Sequence, residues 1–396
     1  MALFIQAFVN VAAKWGPIRR ALLDRSGVRR SLCLLGLGVC LSVGAGSCSK
    51  RSANATPNSV VLDSTNRLVS VPQPVKRLIG SGAGCLRYIT YLQSLDQVIA
   101  VDEVETRRTR INSRPYAIAH PELRKLPVFG GFMGRDNPEL IATLDPAPEL
   151  ILKTFGQAGH NPAELQEKTG IPVFVVDYGD LVNSRGSFYN TLRIMGKILG
   201  KTARSEEIIR YFDQSIVDLA QRTSKIPVPR SVYVGGVSFQ GPLGFRSTQI
   251  KYPPFVFTQT KNLTLEATAT GLAHIDLSKE QIVTLDPEVV FIDLATLGGD
   301  PRANALHELK TDSAYESLRA LKSGEIYGLL PYAAYAQNYG STLANAYFVG
   351  KVLYPKRFSD IDPMKKADEI YTFLVGAPVF PTINDSLGGL AFKRLN

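Results

Sequence analysis

Three tyrosines fall close together near the carboxyl-terminal end of the sequence, in the segment "PYAAYAQNYG". Tyr332, Tyr335 and Tyr339 each combine a flat apolar face with a hydroxyl group. Such rings can pack on a macrocycle or a catecholate while their hydroxyls stay hydrogen-bonded. The alternative is that aromatic side chains in this segment plug the protein core. The segment is therefore a candidate binding loop for a flat organic ligand.

Two arginines stand in glycine-rich segments, Arg135 in "GGFMGRD" and Arg246 in "VSFQGPLGFRSTQ". A guanidinium forks onto carboxylate or phosphate oxygens, so both residues are candidate contacts to an anionic ligand. Phe132 and Phe245 lie near them and are candidate apolar walls. For each arginine the alternative is an exposed, solvated side chain.

The four histidines are scattered, and no two have the helical spacing of metal ligands. Sites for bare zinc or manganese gather several His and carboxylate side chains, so this pattern favours a chelated metal or an organic ligand. His160, in "TFGQAGH", lies in a candidate binding loop and is a candidate contact to a metal centre. We expect no metal site built from protein ligands alone and no intrinsic cofactor.

These segments fall where strands end in an alternating α/β pattern. The strand-like runs are "VKRLIGSG", "QVIAV", "PVFGG", "ELILKTF" and "PVFVVDYG" in the first half, and "RSVYVGGVS", "EVVFIDLA" and "IYGLL" in the second. Ligands of open α/β sheets bind at the carboxyl ends of the strands, where the candidate loops lie. Ahead of the first strand, "SVVLDSTNRLVSVP" predicts a β-hairpin.

A stretch without strands, from Ser187 to about Ser224, separates the two halves. Gly200 is expected to end one helix and Thr202 to cap the next. The second helix has about 22 residues and a length of roughly 33 Å, enough to cross between two lobes. The predicted fold class is α/β, with two Rossmann-like lobes, central mostly parallel sheets and one long interlobe α-helix. The predicted boundaries are 60–185 for the N-terminal lobe, 186–226 for the helical segment and 227–396 for the C-terminal lobe.

The tetrapeptide "TLDP" occurs twice, in "NPELIATLDPAPELIL" and in "LSKEQIVTLDPEVVFI". A helix that ends at Asp-Pro before a strand is common in α/β proteins, which is the simpler explanation. The agreement extends further at the same offset, to the pairs Glu139 and Glu280, Ile141 and Ile282, Ile151 and Ile292. This longer match predicts equivalent units in the two lobes.

The first 47 residues differ from the rest, with a basic arm ending in "RSGVRR", an apolar run "SLCLLGLGVCLSV" and the small residues "GAGSC". This pattern predicts a cleaved secretory signal, with Arg29-Arg30 leaving a twin-arginine route open. Cys48 resembles the lipidated residue of a bacterial lipoprotein box, although Ala45 stands where leucine is normal. Residues 48–59 then form a short tether that holds the protein at a membrane surface.

The formal charge of +10 gives no case for nucleic-acid binding, because the signal accounts for half of it. Cys33 and Cys40 leave with the signal and Cys48 is lipidated in this prediction, so only Cys85 remains and no intrachain disulfide is expected. Catalytic motifs such as Gly-x-Ser-x-Gly, a Walker loop or His-Glu-x-x-His are absent from the sequence. We therefore do not expect an enzyme.

With this export signal, two α/β lobes and a helix between them, the chain resembles the substrate-binding proteins of bacterial and archaeal ABC importers. It resembles most the class that captures iron-siderophore complexes, haem and cobalamin. The resemblance covers roughly residues 60–380 and rests on the hairpin with "VKRLI", the two repeats, "STQIKYPPF" with "KNLTLEATATG", and "LANAYFVGKVLYP". It implies lobes that close only slightly and a ligand in the cleft between them.

The resemblance also implies that Glu139 and Glu280, in the first turns of the repeated helices, face arginines of a permease dimer. The alternative is that each acid only complements the helix dipole, for roughly 0.3–1 kcal/mol. The expected function is an exported, lipid-anchored, monomeric receptor that delivers an iron chelate to an ABC permease. Haem, a corrinoid or another chelated metal remain open as ligands, and an exported sensor or enzyme remains open as a different function.

Overall fold

The computed structural model describes residues 58–239, 241–267 and 272–395. The signal segment, Cys48 and most of the tether lie outside these ranges, so what is said of them above stays a prediction. Among the helices within these ranges, none combines the length and the hydropathy that a membrane span requires.

Strands and helices alternate along most of the described chain. The strands are β1 (Asn58–Leu62), β2 (Leu68–Pro72), β3 (Leu78–Ser81), β4 (Val98–Asp102), β5 (Val128–Gly131), β6 (Arg135–Asp136), β7 (Leu150–Thr154), β8 (Val173–Val176), β9 (Ser231–Gly235), β10 (Ser247–Gln249), β11 (Lys261–Asn262), β12 (His274–Asp276), β13 (Val289–Asp293) and β14 (Ile326–Leu329). The helices are α1 (Cys85–Tyr91), α2 (Glu103–Thr106), α3 (Pro115–Ala119), α4 (Pro138–Ala142), α5 (Pro162–Thr169), α6 (Arg185–Ile198), α7 (Thr202–Thr223), α8 (Pro253–Phe257), α9 (Thr264–Ala267), α10 (Lys279–Leu285), α11 (Ala305–Thr311), α12 (Arg319–Lys322), α13 (Tyr339–Leu353), α14 (Pro363–Val375) and α15 (Phe380–Ser386).

The N-terminal lobe is built on a six-stranded sheet with the order β6-β5-β4-β3-β7-β8. All neighbours in it are parallel except β5 and the edge strand β6. Every residue of β3, β7 and β8 is buried, as expected for strands covered on both faces. The predicted hairpin is confirmed: β1 and β2 pair antiparallel, and the Ser64 N–H donates to the carbonyl of Val175 in β8 at 3.0 Å.

The C-terminal lobe is built on a four-stranded parallel sheet with the order β11-β9-β13-β14. All residues of β9 and β13 are buried, which places the core of this lobe around them. A separate antiparallel pair, β10 with β12, lies next to β9. The predicted α/β fold with two sheet-centred lobes is confirmed.

The predicted interlobe helix is α7, which has 22 residues. Near its start, Arg204 Nε donates to the Tyr91 carbonyl of the N-terminal lobe at 3.0 Å. Near its end, Arg222 Nη1 donates to Asp360 Oδ1 in the C-terminal lobe at 2.7 Å. Gly200 lies just after α6 with φ 70°, as expected for a helix-ending glycine. The expected cap at Thr202 was wrong by one residue, because the chain already turns into the helix at Lys201.

The repeated sequence forms equivalent units, a short helix followed by a central strand in each sheet. Ile141 and Ile282 in the helices, and Ile151 and Ile292 in the strands, are all fully buried. Each helix is capped by a side chain: Asn137 Oδ1 accepts from the Leu140 N–H, and Ser278 Oγ accepts from the Gln281 N–H. The apolar positions therefore repeat because each unit packs against its own sheet in the same way.

Candidate functional site

The three clustered tyrosines have different surroundings in the structure. Tyr339 is the first residue of α13, is 0% exposed, and packs on Phe188 with ring centroids 4.2 Å apart. Its placement contradicts the expectation that it faces a ligand, because the ring belongs to the core. Tyr332 is partly buried, and its hydroxyl accepts from Gln249 Nε2 at 3.1 Å.

Tyr335 reaches from the C-terminal lobe to the N-terminal lobe. Its ring stacks on Phe132, with centroids 5.1 Å apart and planes inclined by 27°. Its hydroxyl donates to Asp102 Oδ2 at 2.5 Å and accepts from the Met133 N–H at 3.1 Å. Phe132, Met133 and Asp102 all follow or end strands of the N-terminal sheet, so this contact lies between the two lobes.

A cavity of about 150 Å³ adjoins the stacked rings, and we call it the interlobe cavity. Residues of both lobes line it: Val104, Thr109, Ile111, Asn112, Ser113, Arg114, Phe132, Ala334 and Tyr335. At its floor, the buried Arg114 Nη1 donates to Glu105 Oε2 at 2.9 Å. The cavity thus combines aromatic walls with a buried, paired guanidinium.

Arg87 of α1 fastens the tyrosine-bearing loop, residues 331–338, onto the N-terminal lobe. The side chain is 1% exposed, and its Nη2 donates to the Ala334 carbonyl at 2.9 Å and to Asn338 Oδ1 at 2.6 Å. Asn338 Nδ2 in turn donates to the Ser113 carbonyl at 2.8 Å. A network of charged and neutral hydrogen bonds therefore holds this loop in place.

Arg135 and His160 lie together around a second, larger cavity of about 500 Å³, which we call the N-lobe depression. It is lined by Glu103, Val128, Gly130, Gly131, Arg135, Asp136, Asn137, Pro138, Glu139, Leu140 and His160. The backbone N–H of His160 donates to the Gly134 carbonyl at 3.0 Å. The buried Nε2 of its imidazole ring has no hydrogen-bond partner among the described residues. The depression also contains Glu139, so two candidate ligand contacts share a cavity with a candidate docking residue.

Phe245 and Arg246 have separate surroundings in the C-terminal lobe. Phe245 is 0% exposed and packs edge-on against Tyr233 and Tyr315, so its predicted role as a cleft wall was wrong and it is a core residue. Arg246 is exposed, and its Nε donates to the Leu277 carbonyl at 2.7 Å. The pKa of Glu280 is lowered first by its own backbone N–H and then by Ser278, and the charge of Arg246 makes a smaller contribution in the same direction. Arg135 therefore lies at the N-lobe depression, whereas Arg246 lies on the C-terminal lobe, and the two do not border the same cavity.

Glu139 and Glu280 are exposed in the first turns of α4 and α10. Among the ion pairs that the described residues form, none uses either carboxylate. The pKa of Glu280 is lowered chiefly by its own backbone N–H, with help from Ser278, so the side chain is charged at neutral pH. Each lobe therefore presents one exposed acid at an equivalent position, without a close ion-pair partner among the described residues.

Several residues around the cleft were not singled out from the sequence. Phe155 is 41% exposed and stacks on Tyr178, and Phe239 is 54% exposed and stacks on His274. Both lie in loops that follow strands, and this position in the sequence was the indication that they could lie near the cleft. Arg87 was hidden inside an apolar helical segment, where one charged residue among buried neighbours was the only signal.

Two buried aspartates, one in the sheet of each lobe, end strands and contact the loop of residues 331–338. Asp102 ends β4 and meets Tyr335, and Asp293 ends β13 and accepts from the Tyr332 N–H at 3.0 Å. Burial raises the pKa of each to about 7. Within the described ranges, no group of three or more His, Cys, Asp and Glu residues is arranged to hold a metal ion.

Comparison with known proteins shows where this architecture occurs. A family model described as "Periplasmic binding protein" matches residues 91–333. The molybdate-binding protein MolA of Haemophilus influenzae is 19% identical over 342 residues, covering 82% of this chain and 92% of MolA. The structure of molybdate-bound MolA aligns with a TM-score of 0.61 at 16% identity, over 81% of this chain and 98% of that chain.

A periplasmic solute-binding protein from Veillonella parvula aligns equally well, with a TM-score of 0.61 at 17% identity, over 84% of this chain and 97% of that chain. These structural likenesses establish the fold. The family match spans more than half of the sequence and includes both repeats. The chain therefore belongs to the periplasmic binding protein family, the solute receptors of ABC transporters.

Proposed function

We propose that the protein is a lipid-anchored receptor that captures an iron chelate of the siderophore type between its lobes and delivers it to an ABC permease. The observation that carries this proposal is the meeting of Phe132 and Tyr335, from opposite lobes, beside the interlobe cavity. Exposed Phe155 and Phe239 add two further rings in strand-end loops. Aromatic faces of this kind suit a large organic ligand, which brings the metal already chelated.

The same proposal assigns Glu139 and Glu280 to permease docking. They occupy equivalent positions in the two repeated units, are exposed, and lack an ion-pair partner among the described residues. Two separated carboxylates match a partner that carries two basic sites, such as a permease dimer. Family membership implies export, and Cys48 is the proposed site of the lipid anchor.

A second candidate ligand is an oxyanion, favoured by the similarity to the molybdate-binding MolA. The N-lobe depression offers the matching chemistry, because Arg135 borders it and the buried His160 Nε2 has no partner among the described residues. A guanidinium and an imidazole both donate hydrogen bonds to anionic oxygens. In this case the ligand contacts the depression rather than the interlobe cavity.

The deciding experiment starts from protein purified gently from the envelope of its own host, examined by native mass spectrometry, absorbance and metal analysis. The emptied protein is then titrated with ferric catecholate and ferric hydroxamate complexes, haemin, cobalamin and molybdate. One ferric chelate per chain, with binding weakened at least tenfold by Phe132→Ala, supports the proposal. Met364→Ala, which shortens an exposed side chain on α14, is the matched control and leaves affinity unchanged.

Molybdate binding that is lost in Arg135→Gln and kept in Phe132→Ala supports the oxyanion candidate instead. Failure of every ligand to bind contradicts both candidates. The lipid anchor is tested separately by Cys48→Ser, which is expected to release the protein from the membrane fraction.

A further inference from the structure

The loop that carries Tyr335 adopts a conformation that needs outside support. Tyr335 and Ala336 both have positive φ angles, 51° and 73°, and Ala333 bridges to Gln337 in a tight antiparallel turn. Two successive non-glycine residues in this region are energetically unfavourable. The contacts of the Tyr335 side chain with the N-terminal lobe offset this cost, so the turn aims the ring at a specific place.

In the N-terminal lobe, both the ring and the hydroxyl of Tyr335 have contacts. Phe132 covers one face of the ring, Asp102 Oδ2 accepts a hydrogen bond from the hydroxyl, and the Met133 N–H donates to the hydroxyl oxygen. A phenol has the same three features, an apolar face, one O–H donor and one acceptor oxygen. The N-terminal lobe therefore contacts all three of these features in the Tyr335 side chain, which belongs to the other lobe.

The N-terminal lobe organises this place without help from Tyr335. Asp102 Oδ1 accepts from the Val104 N–H at 3.1 Å, which orients the carboxylate at the start of α2. Met133 is fixed in a turn with φ 59°, and the carbonyl of the next residue, Gly134, accepts from the buried Lys153 Nζ at 3.0 Å. Asp102 is 3% exposed with Tyr335 in place, and removal of Tyr335 would leave its Oδ2 and the Met133 N–H facing a vacated space.

The surroundings provide room next to the bound ring. The interlobe cavity of about 150 Å³ begins at the same Phe132 and Tyr335 side chains. Phe132 itself stays 40% exposed although Tyr335 stacks on it. An aromatic ring of a ligand therefore has the exposed part of Phe132 to contact before Tyr335 is displaced.

We propose that Asp102, Phe132 and the Met133 N–H form a subsite for a hydroxylated aromatic ring, which Tyr335 fills until a phenolic group of the ligand displaces it. This inference rests on the proposed function in placing the ligand between the lobes. It assigns Tyr335 a competing role, because the ligand and the tyrosine occupy the same subsite in turn. It also requires the ligand to carry an O–H donor for Asp102, since that buried carboxylate otherwise loses its partner.

The test uses p-cresol, which is the tyrosine side chain as a free molecule, so it needs neither a transporter nor a metal chelate. Tyr335→Ala is expected to bind p-cresol at least tenfold more tightly than the wild-type protein in calorimetry. The analogue 4-methylanisole, which has no O–H donor, is expected to bind at least tenfold more weakly to the same variant. The double variant Tyr335→Ala/Asp102→Asn is expected to lose the preference for p-cresol over 4-methylanisole. Circular dichroism establishes that each variant is folded.

The proposal is overturned if the folded Tyr335→Ala variant does not bind p-cresol. It is also overturned if the wild-type protein binds p-cresol as tightly as the variant does. A second measurement avoids dependence on the stability of that variant. Wild-type protein labelled with 3-fluorotyrosine gives a ¹⁹F resonance for Tyr335, assigned by its loss in Tyr335→Phe. Millimolar p-cresol is expected to shift that resonance, and an unchanged resonance contradicts displacement. Either result is independent of whether the physiological ligand is an iron chelate.

Discussion

Arg87 Nη2 lies 2.6 Å from Asn338 Oδ1, and this hydrogen bond joins the first helix of one lobe to the loop that carries Tyr335 in the other. The same nitrogen also donates to the Ala334 carbonyl. Both residues are almost fully buried, so the hydrogen bond is made away from solvent. The hydrogen bonds of Arg87 therefore stabilise the contact between this loop and the N-terminal lobe.

Arg87→Met is expected to destabilise the protein by about 3 kcal/mol, since hydrogen bonds to a buried charged group are lost and their acceptors stay buried. Hydrogen exchange in residues 331–338 should accelerate at least tenfold. Arg193→Met is the control, because Arg193 forms a half-exposed ion pair with Glu206, and about 0.5 kcal/mol is expected there. Equal effects of the two substitutions in urea denaturation would contradict the assigned role.

The fully buried ion pair between Lys153 and Asp136 fixes the loop that leads from β5 to the N-lobe depression. Lys153 Nζ donates to Asp136 Oδ2 at 2.6 Å, to Ser81 Oγ at 3.2 Å and to the Gly134 carbonyl at 3.0 Å. Lys153→Met is expected to cost about 3–5 kcal/mol, because it strands a buried carboxylate. The double variant Lys153→Met/Asp136→Asn should recover part of that loss in a double-mutant cycle, whereas additive losses would show that the pair is not coupled.

A close backbone approach between two loops predicts unequal effects at two similar glycines. Gly159 and Gly170 have φ angles of 71° and 69°, so alanine is strained at either by about 1 kcal/mol. A Cβ at Gly159 would lie 1.8 Å from the Gly134 carbonyl oxygen, whereas a Cβ at Gly170 meets nothing within 4 Å. Gly159→Ala should therefore be the more destabilising substitution by at least about 2 kcal/mol. Thermal or urea unfolding of the two variants provides the comparison.

Asp293 gives a defined pH dependence. Burial raises its folded-state pKa to about 7, above its value in the unfolded chain, so its contribution to stability is fully present below about pH 4 and is lost as pH rises through 7. The neighbouring phenols of Tyr252 and Tyr332 have raised pKa values and stay neutral over this range.

The difference in unfolding free energy between wild type and Asp293→Asn should fall by about 1.4 kcal/mol per pH unit between about pH 5 and 6, and should level off above about pH 7. Urea denaturation at pH 5, 6, 7 and 8 measures it. Asp360→Asn is the control, because Arg222 lowers the pKa of Asp360 to about 2, outside the interval. A flat difference for Asp293→Asn would show that the carboxyl does not titrate there.

Permease docking is expected to depend on both lobes. Glu139→Gln and Glu280→Gln should each reduce ligand-stimulated ATPase activity of the reconstituted transporter at least fivefold, because each removes a charge that is proposed to contact the partner. Affinity for an iron chelate should stay unchanged, since both side chains are exposed outside the interlobe cavity. The exposed Glu167→Gln provides a control for lost charge alone. Full activity in the double variant would contradict docking through these residues.

The sequence predicted the architecture well because buried strands carry a local signal. The runs that became β7, β9 and β13 are continuously apolar or nearly so, and the glycine after α6 marks the approach to α7. The repeated isoleucines also predicted the equivalence of the two helix-strand units, since the isoleucines of each unit are buried against its own sheet. These features depend on neighbours in sequence and could be predicted without the structure.

The site was less predictable because it depends on contacts between distant segments. Phe245 and Phe132 both stand near an arginine in a glycine-rich loop, yet one is in the core and the other is exposed. Tyr339 looked like a loop residue because α13 is buried on nearly all sides and lacks an amphipathic period. Asp102 had no signal, since its partner Tyr335 lies 233 positions away in the sequence.

The long helix α7 also constrains the length of the chain. Each residue of an α-helix adds about 1.5 Å of rise and about 100° of rotation. Deleting one residue from the middle of α7 would turn Arg222 away from Asp360 while Arg204 kept its contact with Tyr91. Insertions and deletions within α7 would therefore change the rotation of one lobe relative to the other, whereas substitutions of its solvent-facing side chains would leave the helix geometry unchanged.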